Sequence, residues 1–505
     1  MKRASRALSR AAWSLLAAAL VSVVMTVFAF SPLQAKPRRD VVLEARLLEH
    51  ITVLASDEFD GRRPGTPGEA KTLRYIGREF FDIGLVSGTN DPGNPWFAPV
   101  VLVGRQPAAS AARFSRRGRP ILVPASQVLL FTSSKRSLVR DTPVLFVGRK
   151  DGKSLSRVDL AGRIALLLDD EAGTGERQDS LIEAGAAAVL TVLDAGRTLD
   201  SVAARRQRSG YALASEALGG DLEGFITREA AGRVLAGSGQ TVASLEQLAA
   251  KSDFAPRLLD FTASLEATTI ETTIHTHNVI GKLPGRRPGS GAVLFLAHWD
   301  HFGECAAPPA EHLICNGAID NASGVAALIE TALRLSRGPQ PDRDIYFLAT
   351  TGEELGLLGA TAFAENPPLP LKQIVAAFNM DSIALAPAGT PLGIVGKGKT
   401  NLDAGIAEVA RREKRTLSAS DAGNTYVKRQ DGWALLQHDI PAVMVTSAYG
   451  DIARVEKFFD TDYHRPGDRV KPGLELGGAA EDVAFYVALA RWFGDTRRIP
   501  AVSAR

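Results

Sequence analysis

The apolar positions of this 505-residue chain fall into short blocks of two kinds. LEARLLEHITVLA (43–55) and KTLRYIGREFFDIGL (71–85) carry apolar residues at helical spacing, and Gly84 closes the second block. FAPVVLVG (97–104) reads as a strand. From about Ser126 to Asp260 the blocks are shorter and β-like: QVLLF, PVLFVG, RIALLLDD and AAVLTVLDA, separated by Gly/Asp turns and one helix-like stretch, DSLIEAGAAA. After the strand-like ASLEATTIETTIHTHNVIG, apolar runs alternate with amphipathic ones. AVLFLA, DIYFLAT, IVAAFN and PAVMVTSA read as strands. SGVAALIETALRLSR, LGATAFAEN, NLDAGIAEVARREKR and GGAAEDVAFYVALARWFG read as helices. This alternation predicts an α/β fold with a mixed β-sheet covered by helices on both faces. The middle segment predicts a small β-rich domain inserted into it. The expected organisation is a main domain in two parts, 36–125 and 261–505, an insert over 126–260, and a separate N-terminal segment, 1–35.

That first segment has the pattern of an export signal. MKRASRALSR is basic, an apolar run follows from Ala11 to Phe30, and SPLQA offers a small residue for cleavage after Ala35. The run is also long enough to span a bilayer, so a retained membrane anchor is the alternative. Both place the body of the chain outside the cytoplasm, periplasmic or secreted. The two cysteines, Cys305 and Cys315, are close in sequence, and in an oxidising compartment such a pair is expected to be bonded. A length of 505 residues calls for more than one core. The net charge of +3 is small, and no basic stripe carries interleaved aromatics, which argues against a nucleic-acid partner.

The candidate chemistry lies where apolar runs end. AHWDH, NGAIDNASG, TGEELGLLG, NMDS and DYHRPGD contain His298, Asp320, Glu353, Glu354, Asp381 and His464. In α/β sheets, ligands collect at the carboxyl ends of strands, and three of these segments directly follow predicted strands. Two His, two Asp and two Glu supply five ligands for two divalent ions and one spare carboxylate, the inventory of metal-assisted hydrolysis. A mixed His/carboxylate set suits zinc. Asp320, with two oxygens, is the candidate bridge between the ions, and Asn321 or Ser323 can cap the helix that follows. Glu353 and Glu354 would repel each other without a cation; one can bind metal while the other acts as base toward water. Asp300 can accept a hydrogen bond from the second ring nitrogen of His298. His301 is the weaker candidate, a loop histidine that need only hydrogen-bond. The Tyr463 phenol can donate to an oxyanion or simply pack.

Taken in order, HWD, GAIDNASG, TGEELGLLGA, NMDS and YHRPGD resemble the secreted bacterial co-catalytic zinc aminopeptidases of peptidase family M28. That family also holds glutamate carboxypeptidase-like members, glutaminyl cyclases and a metal-less receptor ectodomain. The resemblance implies a zinc exopeptidase fold with a protease-associated insert near 126–260, and peptide substrates. It also implies two Zn2+ ions, one held by His298, Asp320 and Asp381, the other by Asp320, Glu354 and His464. Glu353 would be general base and then acid, Tyr463 an oxyanion donor, and Asp300 an orienter of His298. Where many relatives carry Arg-Ser-Asp-His, this chain has Arg429, Gln430, Asp431 and Gly432, so specificity does not carry over. An exported aminopeptidase is the expected function. The alternatives are a carboxypeptidase or dipeptidase with the same site, or a receptor-like binding domain that has lost catalysis.

Overall fold

The computed structural model describes residues 39–170, 173–206, 210–216 and 221–499. The export signal expected over 1–35 lies outside the described residues. In chain order the principal elements begin with helices α1 (Val41–Leu54) and α2 (Pro67–Ile83). Strands β1 (Phe97–Arg116), β2 (Val128–Thr132), β3 (Arg136–Gly148) and β4 (Ile164–Leu168) follow. Then come helix α3 (Thr174–Glu183) and strands β5 (Ala188–Val192), β6 (Leu222–Ile226) and β7 (Arg257–Leu283). The remainder comprises β8 (Ala292–His298), α4 (Gly324–Ser336), β9 (Asp344–Thr350), α5 (Leu358–Glu365) and β10 (Ile374–Asn379). It closes with β11 (Gly393–Val395), α6 (Asp403–Arg412), β12 (Ala442–Thr446), α7 (Ile452–Thr461) and α8 (Gly477–Phe493).

One continuous sheet runs in the order β11-β12-β10-β8-β9-β7-β3-β4-β5-β6-β2, with β1 paired to β7 off that path. β8 pairs in parallel with β9 and β10, and β10 with β12. β7 is antiparallel to β9 and β3, so the sheet is mixed. Successive strand residues face opposite sides, and β8 shows why an unbroken apolar run was needed there. Val293, Phe295 and Ala297 enter a core built with α1, α2, α4 and α8. Leu294 and Leu296 enter a second core with Phe363 of α5, on the other face. Phe295 stacks on Phe347 and Phe378 of the flanking strands, with ring centroids 6.1 and 5.4 Å apart.

Local signals fix the helix ends. The Asp40 side chain accepts from the Leu43 amide at 3.0 Å and starts α1. Gly84 ends α2 in the left-handed conformation, φ 86°, which costs a residue without a Cβ nothing. α4 is capped by Asn321, whose side-chain oxygen accepts from the Gly324 amide at 2.9 Å; Ser323 instead donates to the Ile319 carbonyl.

A separate apolar core unites β3, β4, β5 and β6 with Phe114 and with Phe261, Ala263, Leu265 and Ala267 of β7. β7 spans 27 residues because it serves both cores, its first half pairing β3 and its last residues pairing β9. Cys305 and Cys315 are bonded and close the loop between β8 and α4.

Candidate metal centre and active site

Three neighbouring parallel strands end together. His298 is the last residue of β8, Glu353 and Glu354 follow β9, and Asp381 follows β10. Asp320 enters from the turn before α4, and His464 from the segment after α7. His298 Nε2 lies 3.2 Å from Asp320 Oδ1 and 3.6 Å from Asp381 Oδ1. His464 Nε2 lies 3.4 Å from Asp320 Oδ2 and 3.0 Å from Glu354 Oε2. The Asp320 carboxylate therefore spans the two imidazoles, one oxygen to each. Glu353 stands further off, with Oε2 4.0 Å from His298 Nε2.

These atoms fit a metal shell better than a hydrogen-bond network. His298 Nε2, His464 Nε2 and Asp320 Oδ2 are buried and have no hydrogen-bond partner. Such atoms are costly unless something else pairs with them. Ligands bound to zinc at 2.0–2.1 Å in a tetrahedron stand roughly 3.3 Å apart, and the separations here cluster around that value. Three groups have the spacing to hold an ion: His298, Asp320 and Asp381; His301, Asp320 and Glu354; and His298, Glu353 and Glu354.

The electrostatics match a site built for cations. Burial works against a charged His298 ring, yet Glu353, Asp320 and Asp381 together hold its pKa well above the usual imidazole range. His464 is likewise pushed up to about 9, burial being outweighed by Asp320 and Glu354. Burial raises the Glu353 carboxyl well above its ordinary value, and Glu354, Asp431 and Asp381 add to this against the opposing pull of His298. Burial would raise Asp320 too, but its two histidine partners hold it well below the usual range.

Around this group the structure adds supports. Asp300 does not reach the His298 ring with its carboxylate, which is 3.9 Å from Nδ1; its main-chain carbonyl takes that place at 3.2 Å. The carboxylate instead accepts the amides of Glu353 and Glu354, at 3.1 and 3.4 Å, and so clamps the turn carrying both acids. His301 Nδ1 lies 2.5 Å from Glu354 Oε1. Tyr463 stacks on the His464 ring with centroids 3.6 Å apart, and burial raises its phenol far above the usual value.

Three contributors were not singled out from the sequence. Asp468 accepts the amides of Ile319 and Asp320 at 2.8 and 2.9 Å. Arg62, fully buried, donates to the carbonyls of Leu54, Trp299, Asn316 and Gly317. Asp431 accepts from the Thr350 hydroxyl. Asp468 ends the DYHRPGD segment and Arg62 lies in GRRPG, but nothing in either string says what the side chain holds. Gly317 completes the turn at φ 58°: a Cβ there would lie 2.2 Å from the Asp320 carbonyl oxygen and 2.7 Å from Arg62 Nη2.

Each proposed ligand falls within one stretch of recognisable sequence. Residues 278–486 match Peptidase family M28. Leupeptin-inactivating enzyme 1 of Streptomyces exfoliatus is 33% identical over 24% of this chain and 27% of its own length. Aminopeptidase YwaD of Bacillus subtilis is 33% identical over 24% of both. The chain thus spans about a quarter of the length of these relatives. Among solved structures, an aminopeptidase from Aneurinibacillus sp. strain AM-1 superposes with a TM-score of 0.51 at 20% identity, covering 88% of this chain and 92% of that one. That likeness establishes a shared fold, a mixed sheet flanked by helices.

Proposed function

We propose that this chain is an exported, zinc-dependent aminopeptidase that removes residues from the amino terminus of peptides. The observation that carries the reading is the Asp320 carboxylate set between two imidazoles whose buried Nε2 atoms lack partners, with Glu353 beside them and bound to neither. His298, Asp320 and Asp381 would hold one zinc ion, and Asp320, Glu354 and His464 the other. Zinc held by these residues would supply Lewis acidity, polarising the scissile carbonyl and making water acidic enough to deprotonate near neutral pH.

The chain's own residues do the rest. Glu353 takes the proton from the attacking water and returns it to the leaving amine, a task open to a carboxyl that stands beside the centre at 4.0 Å from His298. The Tyr463 hydroxyl donates to the developing oxyanion. Asp300 fixes the turn on which Glu353 stands. The substrate ammonium pairs with Glu353 or Asp381, which sets the scissile carbonyl one residue along. Residues 126–260 form a protease-associated insert that limits access to short or extended peptides. No described helix is long and apolar enough to cross a membrane.

The test is a digest of matched free and N-acetylated peptides by the metal-reconstituted protein, read by mass spectrometry. The free peptides are expected to shorten from the amino end and the acetylated ones to survive. Cleavage of acetylated peptides with release from the carboxyl end would replace this reading with a carboxypeptidase.

A further inference from the structure

Arg429 stands beside the centre with a guanidinium that nothing described neutralises. Its guanidinium carbon lies 5.3 Å from the ring centroid of Phe459, 5.7 Å from that of Tyr426 and 5.8 Å from that of Tyr463. Tyr463 in turn stacks on His464. Three rings flank the cation of this exposed side chain, and among the described residues its N–H donors have no hydrogen-bond partner. Among the described residues no carboxylate lies within ion-pair distance of it. Asp381, the acid lining the same crevice, faces His298 at 3.6 Å instead. The free space in the crevice is about 10 Å³, room for about one water, so an anion would meet Arg429 at the rim of the crevice that Asp381 and Tyr463 also line.

We infer that Arg429 selects substrates by capturing a carboxylate of the peptide itself. This deepens the aminopeptidase reading and rests on it. The guanidinium fork matches a carboxylate with two parallel N–H···O bonds, which a neutral amide of the same shape cannot accept in that way. Two substrate carboxylates are within chemical reason: the side chain of an acidic first residue, and the terminal carboxylate of a dipeptide.

The experiment compares kcat/KM of the zinc-loaded protein and of Arg429→Gln in two arms. One arm sets aspartyl against asparaginyl p-nitroanilide; the other sets alanylalanine against its amide. The carboxylate form is expected to be favoured about 10- to 100-fold in one arm, the scale of a charge-assisted hydrogen bond, and that arm names the source. In Arg429→Gln the ratio should fall to near one. Ratios within about twofold in both arms, or a preference that survives Arg429→Gln, would overturn the inference. Calorimetric binding of the dipeptide and its amide, and of aspartate and asparagine, to the Glu353→Gln protein and to Glu353→Gln/Arg429→Gln supplies the same ratios without turnover. If no substrate is cut, the aminopeptidase reading fails while these ratios still decide the role of Arg429.

Discussion

The Asp468 carboxylate accepts the main-chain amide of Asp320 at 2.9 Å, so the residue that spans both histidines is held by a second acid 148 positions along the chain. Its other oxygen takes the Ile319 amide at 2.8 Å. Asp468 is buried and fixes the turn, not the ligand atoms themselves. Outer partners of this kind are worth about 10- to 100-fold in metal affinity or activity. Asp468→Ala should therefore weaken zinc binding on that scale, measured by competition with a chromophoric chelator. Unchanged affinity would mean that the turn holds its shape without Asp468.

Glu353 and Glu354 are neighbours in sequence but differ in surroundings. Glu354 meets His464 and His301 at 3.0 and 2.5 Å, whereas Glu353 comes no nearer than 4.0 Å to His298. Glu353→Gln should keep about two metal equivalents and lose about 10²- to 10⁴-fold in kcat, the usual contribution of a general base. Elemental analysis and turnover on the same sample check both halves. Near-normal turnover would remove Glu353 from the proton-transfer step.

What the sequence made legible, and what it left hidden, follows from burial. β8, β9 and β10 are buried on both faces, so they appear as unbroken apolar runs, and the polar residues ending them stand out against that background. His298 and Asp381 were found in this way. Asp320 and His464 sit in turns and needed the ordered set of motifs. Asp300 was visible as an acid two residues from His298, but its target depended on a backbone path, and the carboxylate turns to the Glu353 and Glu354 amides instead. Asp468 and Arg62 bond to main-chain groups far along the chain, and main-chain partners leave no mark on composition or periodicity. The same holds for β7, whose strand-like ASLEATTIETTIHTHNVIG does not announce that one strand joins two cores.

The Cys305–Cys315 bond closes the loop between His298 and Asp320, and Arg62 ties the same loop to the site through the Asn316 and Gly317 carbonyls. With a sequence separation of 10, loop entropy limits its stabilisation to about 3 kcal/mol. Reduction should lower the thermal midpoint modestly and leave the fold intact. Thiol titration of unreduced, denatured protein should find no free thiol. Two free thiols would show that the bond does not form in the purified protein.

Asp482 supplies a pH dependence whose sign can be worked out. Its carboxylate is fully buried and accepts from the Thr446 hydroxyl at 2.7 Å, the Ser447 amide at 2.8 Å and the Ser447 hydroxyl at 2.9 Å. Burial nevertheless dominates over these donors and Arg415, and pushes its pKa from 3.8 up to about 6. The folded state thus holds this proton more tightly than the unfolded chain. Between pH 3.8 and about 6 the native state binds more protons, so stability falls as pH rises through that window. Below it the group costs nothing; above it the cost is on the order of 3 kcal/mol, two pKa units at about 1.4 kcal/mol each. Asp482→Asn does not titrate and should lack this slope. Taken as a difference from the parent at each pH, so that titration of the metal-binding residues cancels, the thermal midpoint of Asp482→Asn should climb from pH 4 to pH 7. A difference that stays constant across that range would show that the hydrogen bonds, not burial, set the charge of Asp482.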